Sequence, residues 1–73
     1  MAQHPLKSLV TGTVWKIERQ VGDSAEEGDA VLILESMKME IPLEACASGV
    51  VHELLVAEGD RVTEGQVLAV MSS

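Results

Sequence analysis

Short apolar stretches separated by glycine-centred turns run the length of this chain. Residues 14–19 (Val-Trp-Lys-Ile-Glu-Arg) loosely alternate apolar and polar positions, the pattern of a half-buried strand. Residues 30–34 and 67–71 are continuous apolar runs, which predict short strands buried in a small sheet core. Gly22-Asp23 and Gly28-Asp29 interrupt the first half, and Gly59-Asp60 and Gly65-Gln66 the second. Glycine reaches positive φ without steric cost, so each pair predicts a turn. Residues 7–10 and 41–44 complete a set of about eight predicted strands. Turns this frequent argue for an all-β flattened barrel or sandwich.

The pattern occurs twice. At an offset of 37 residues, the step from Gly12 to Gly49, Thr11-Gly12-Thr13-Val14 lies over Ser48-Gly49-Val50-Val51. Gly22-Asp23 lies over Gly59-Asp60, Glu27-Gly28 over Glu64-Gly65, and run 30–34 over run 67–71. Three paired glycines at one spacing mark an internal duplication. Repeats at about 8–35 and 45–72 predict two four-stranded antiparallel sheets related by a pseudo-two-fold axis, within one domain spanning 1–73. Residues 36–39 join the copies.

That junction is the ambiguous stretch. Residues 32–40 are rich in Leu, Glu, Met and Lys, which favour helix. The equivalent run in the second copy ends at the chain terminus without room for a helix, and Pro42 leaves two turns at most. A hairpin tipped by Met37-Lys38 is the better expectation. Tight hairpins favour Asn-Gly, Asp-Gly or Gly-X, and this tip has none of them. A tip that ignores its local preference is where a functional demand is expected. It offers one primary amine, Lys38, with 37 residues before it and 35 after it. The plainer alternative is two methionines folded onto the core beside an ordinary solvated lysine.

Composition narrows the setting. Seventy-three residues with 47% apolar content support one small core, and a single Cys rules out an intrachain disulfide. His4, Cys46 and His52 show no zinc spacing. A net charge of −7 repels phosphate backbones, which argues against nucleic acid as a partner. No apolar run approaches a membrane span, and the first residues lack a signal-peptide pattern. A cytoplasmic monomer is the expectation, with an organellar parent chain as the alternative. Asp23 and Asp60 are expected to cap turns, Cys46 to be a small core residue, and Trp15 to be a core or half-buried anchor. His4, His52, Lys7, Lys16, Arg19 and Arg61 are expected at the surface.

With these residues in place the chain resembles the biotinyl/lipoyl attachment domain family. Glu35-Ser36-Met37-Lys38-Met39-Glu40-Ile41-Pro42 is similar to the attachment motif of biotinyl domains, whose Met-Lys-Met centre carries biotin on its lysine. The duplicated glycine turns extend the resemblance over nearly the whole chain. Lipoyl domains share the fold but usually place Asp-Lys-Ala at the tip. The short segment around residues 24–27 matches the type without a protruding thumb. Ser36 stands where many relatives have Ala, a swap expected to change little, and Leu9 and Cys46 stand where proline is frequent.

The resemblance implies a non-catalytic carrier, a biotin carboxyl carrier with biotin bound covalently to Lys38. A biotin protein ligase would make an acyl-adenylate, and the neutral Lys38 amine would attack it to form an amide. The charge would move from about −7 to −8. A biotin carboxylase would load a carboxyl group on a ureido nitrogen, and a carboxyltransferase would pass it to an acceptor such as an acyl-CoA, as in fatty acid biosynthesis, or pyruvate. Met37 and Met39 are expected to serve ligase recognition, with hairpin packing as the alternative. Glu35 and Glu40 are either solvated strand charges or ligase contacts. A lipoyl carrier of a 2-oxo acid dehydrogenase or glycine-cleavage system, and an unmodified adaptor of the same fold, are the competing readings.

Overall fold

A computed structural model describes residues 2–73. The strands, in chain order, are β1 (Gln3–Lys7), β2 (Gly12–Ile17), β3 (Ser24–Ala25), β4 (Ala30–Ser36), β5 (Met39–Glu44), β6 (Gly49–Leu54), β7 (Arg61–Val62) and β8 (Val67–Ser72), with no helix among the described residues. They form two four-stranded sheets, β1-β8-β6-β3 and β5-β4-β2-β7, and all pairings are antiparallel. The 37-residue offset turns β1 into β5, β2 into β6, β3 into β7 and β4 into β8. That mapping converts the strand order of one sheet into that of the other.

Bulges explain the apolar runs that fail to alternate. In β4 the register against β5 shifts between Ala30 and Leu32, which leaves Val31 as the extra residue. In β8 the register against β1 shifts at Leu6/Lys7, which leaves Leu68 extra. An extra residue resets which side chains face inward. Val31, Leu32 and Leu34, with their equivalents Leu68, Ala69 and Met71, are thus all fully buried. Val14 and Val51 add matching contributions from β2 and β6.

The halves are clasped by backbone. The Gly22 N–H donates to the Val51 carbonyl at 2.9 Å and the Val51 N–H to the Asp23 carbonyl at 2.8 Å. Under the pseudo-two-fold, Gly59 donates to Val14 and Val14 to Asp60, both at 2.8 Å. Gly28-Asp29 grips Ala45 in the same way, and Gly65-Gln66 grips Ser8. Each turn is closed by its own side chain: Asp23 Oδ2 accepts from the Gln20 N–H at 2.8 Å, Asp29 Oδ2 from Glu26 at 3.0 Å and Asp60 Oδ2 from Ala57 at 2.9 Å. Gln66 Oε1, at the position equivalent to Asp29, accepts from Thr63 at 3.0 Å. The caps expected at Asp23 and Asp60 are present, and two more join them.

Three expectations need correction. The first strand is Gln3–Lys7 and not residues 7–10. Ser8 ends it by turning its hydroxyl onto the Val10 carbonyl, and its backbone is held by Gly65 and Gln66. The missed signal was Pro5-Leu6 recurring as Pro42-Leu43 at the same offset, which makes β1 the counterpart of β5. Cys46 is exposed, because Ala45 takes the core position at that corner and the next side chain turns outward. Trp15 is 47% exposed and outside the core. It is the extra residue of a bulge between Val14 and Lys16, just as His52 is between Val51 and Glu53.

Gly12 and Gly49 are required by close approach. A Cβ on Gly12 would collide with the Glu35 carbonyl oxygen, and one on Gly49 with that of Ser72. Backbone obstructs both, so a side chain cannot step aside. Gly12→Ala and Gly49→Ala are each expected to destabilise the fold by about 1–3 kcal/mol, the usual cost of overpacking. Urea denaturation should show it as a lower midpoint at unchanged slope.

Candidate functional site

The β4–β5 hairpin carries the candidate amine, Lys38. Its last cross-strand pair is Ser36 with Met39, so Met37 and Lys38 form a two-residue loop. Their φ angles are 52° and 66°, and among the described residues they are the non-glycine residues with positive φ. Positive φ at both central positions is the signature of the type I′ turn that matches the twist of paired strands. For residues with a Cβ this conformation costs of order 1–3 kcal/mol each. The tip therefore holds local strain that Asn-Gly would relieve.

The tip also faces water. Met37 is 92% exposed and Met39 64%, and Lys38 is exposed between them. The alternative in which the methionines fold onto the core does not hold. Among the described residues the Lys38 ammonium has no carboxylate within 4.0 Å. Lys16 and Arg19, by contrast, pair with Glu18 and Asp29 at 3.4 and 3.6 Å. The amine is thus accessible and free of an ion pair.

Beneath the tip, cross-strand pairing places Glu40, Glu35, Thr13 and Arg61 in one row across β5, β4, β2 and β7. Glu40 and Glu35 stand directly opposite each other, an arrangement of like charges that disfavours pairing. Both are exposed and, among the described residues, neither has a cationic partner within 4.0 Å. The equivalent row in the other sheet is Gln3, Ser72, Val50 and Ser24, with no charge at all. The duplication breaks at the end of the molecule that carries Lys38.

Ser36 has a role that sequence reasoning did not find. Its Oγ donates to the Thr11 carbonyl at 3.0 Å and ties the base of the hairpin to the loop entering β2. The two residues are 25 positions apart, and no local pattern links them. The pseudo-equivalent of the hairpin is the pair of chain ends: Ala2 and Ser73 exchange backbone hydrogen bonds of 3.2 and 3.0 Å. His4 reaches the same end, its Nε2 2.9 Å from Ser73 Oγ. Only the hairpin end carries an amine-bearing loop within the described residues.

Elsewhere there is little to hold a substrate. An open, largely apolar groove lies between the edge strands β1 and β5, lined by Pro5, Leu6, Leu9, Pro42, Leu43 and Cys46 among others. Among the described residues no three His, Cys, Asp or Glu side chains converge as metal ligands. The arrangement offers an exposed amine, free of an ion pair, at the tip of a β hairpin. A covalently attached group fits such a site, because attachment needs an accessible amine and no enclosing pocket.

Known proteins agree with this geometry. A family model described as "Biotin-requiring enzyme" matches residues 2–71. The biotin/lipoyl attachment protein of Bacillus subtilis is 50% identical over 64 residues, which is 88% of each chain. A dihydrolipoyllysine-residue succinyltransferase component of the 2-oxoglutarate dehydrogenase complex, from Staphylococcus saprophyticus, is 40% identical over 65 residues. The match takes in 89% of this chain and 15% of that one. Among solved structures, urea carboxylase of Kluyveromyces lactis superposes with a TM-score of 0.93 at 40% identity, over 99% of this chain and 6% of that one. The fold, the hairpin lysine and these matches together place the chain in the biotin/lipoyl attachment family, as a carrier domain that is not catalytic in itself.

Proposed function

We propose that this domain is a biotin carboxyl carrier, with Lys38 as the attachment residue. The observation that carries the reading is the unpaired, exposed Lys38 amine on a strained two-residue tip, bracketed by exposed Met37 and Met39. Support for biotin comes from the Met-Lys-Met centre, from the description of the matching family and from the likeness to a carboxylase.

In this reading the Lys38 nitrogen, deprotonated, attacks the carbonyl carbon of an acyl-adenylate held by a biotin protein ligase; the bond from that carbon to the phosphate oxygen breaks, AMP leaves, and an amide remains. The strained turn projects the amine away from both sheets, so the ligase approaches a small convex tip. Met37 and Met39 flank it with flexible thioethers suited to an apolar ligase surface. The attached group supplies a ureido nitrogen that takes up and releases a carboxyl group. The β platform keeps motion confined to the tip, and tethering raises the local concentration at a biotin carboxylase and at a carboxyltransferase.

A second reading, a lipoyl carrier, rests on the succinyltransferase relative, whose similarity spans most of this chain. Co-expression with each ligase followed by intact-mass measurement separates the two. The expected result is a biotinyl increment that disappears in Lys38→Arg. A lipoyl increment alone supports the second reading, and no increment beside a control domain that is modified overturns both.

The tip itself yields two further expectations. Met37→Asp with Met39→Ala should lower the rate of biotinylation by about tenfold or more, as loss of apolar recognition does, while the circular dichroism spectrum stays native. Met37→Asn with Lys38→Gly should abolish modification and stabilise the fold by about 1–2 kcal/mol, since it removes the strain of two left-handed residues. In thermal unfolding that is a rise of roughly 4–8 °C per kcal/mol, and a lower midpoint would count against a strained tip.

A further inference from the structure

Met37 and Met39 share an unusual position. They are large apolar residues with 92% and 64% of their surface open to water, whereas Met71 is fully buried in the core. A thioether reacts with two-electron oxidants as they reach it, so exposure sorts these three of the four methionine sulfurs, Met1 lying outside the described residues. The two open ones are the chain neighbours of Lys38 on either side. Neither contributes to the buried core or to the turn clasps between the halves. Chemistry at their sulfurs therefore leaves the fold intact and alters only the surroundings of the amine.

We propose that Met37 and Met39 form a reversible oxidation site that gates loading of Lys38. Oxidation at the site is independent of the attachment reading, and the gating rests on it. The oxidant class is a hydroperoxide. Its O–O bond breaks, the terminal oxygen transfers to the methionine sulfur, and the thioether is oxidised by two electrons to the sulfoxide. The hydroperoxide is reduced to water or an alcohol. An apolar flank becomes a polar, chiral one. Any enzyme that encloses the Lys38 amine must cover its two neighbours, and burying a sulfoxide oxygen without a donor is unfavourable. The reverse step needs a dithiol-fed methionine sulfoxide reductase, one enzyme for each sulfoxide epimer: the sulfoxide oxygen leaves as water and the dithiol is oxidised to a disulfide. The open tip admits both.

The test uses the full chain with Cys46→Ser, which removes the exposed thiol; Met1 is followed separately in the mass map. The protein is treated with hydrogen peroxide, mapped by peptide mass, and offered to a biotin protein ligase. Expected are oxygen addition at Met37 and Met39 well ahead of Met71, a fall of about tenfold or more in the ligase kcat/KM, and recovery after both reductases act with dithiothreitol. Oxidation of Met71 at the rate of Met37, or unchanged loading of fully oxidised protein, overturns the proposal. If untreated protein is not loaded at all, the attachment reading fails and the gate with it, while the mass map still decides selective oxidation.

Discussion

The fold depends on a reciprocal backbone clasp. Each half sends a Gly-Asp turn across to the other, and Val14 and Val51 receive it through paired hydrogen bonds of 2.8–2.9 Å. These valines are also core residues, exposed by only 1%. The same two positions therefore join hydrophobic burial to polar satisfaction. A buried N–H or C=O left unpaired costs more than a typical hydrogen bond gains, so neither half is complete alone. With one Cys and 73 residues, this mutual completion takes the place of the disulfides or metals that small domains often use.

Duplication also sets the candidate site apart from its counterpart. Pseudo-symmetry gives the molecule two equivalent ends: one holds the β4–β5 hairpin, and the other holds the paired residues Ala2 and Ser73. Bulges, turn caps and core positions match between the halves almost residue for residue. The differences gather at the hairpin end, in the strained Met37-Lys38 loop, the Glu35–Glu40 pair and the Ser36 anchor. Strain at a site that the surrounding structure over-determines is a common mark of function. Here the surrounding structure is a sheet whose inner strand β4 buries Val31, Leu32 and Leu34 fully.

Much of this was legible in the sequence because it is governed by local rules. Glycine turns, the repeat offset, the apolar runs and the misfit tip are all properties of neighbouring residues. Misreadings arose where geometry is non-local. Trp15 reads as a core or half-buried anchor from its size, and a bulge takes it out of the core and leaves it 47% exposed. Cys46 reads as a core residue from its type, yet Ala45 takes that place. The first strand was displaced because Ser8 is claimed by a turn more than fifty residues further on.

The sequence by itself determined the all-β class, the duplication, the hairpin at the junction and Lys38 as the candidate amine. Periodicity and turn chemistry act over a few residues, and those signals survive without coordinates. The tertiary structure alone decided that the tip occupies the left-handed region at two residues with side chains, that Ser36 ties it to Thr11, and that two acidic residues meet across the strands beneath it. It also explained Gly12 and Gly49, which the repeat had marked without a reason: each passes beneath a carbonyl of the opposing strand. Such facts depend on register and on the approach of distant backbone segments, and no window of sequence contains them.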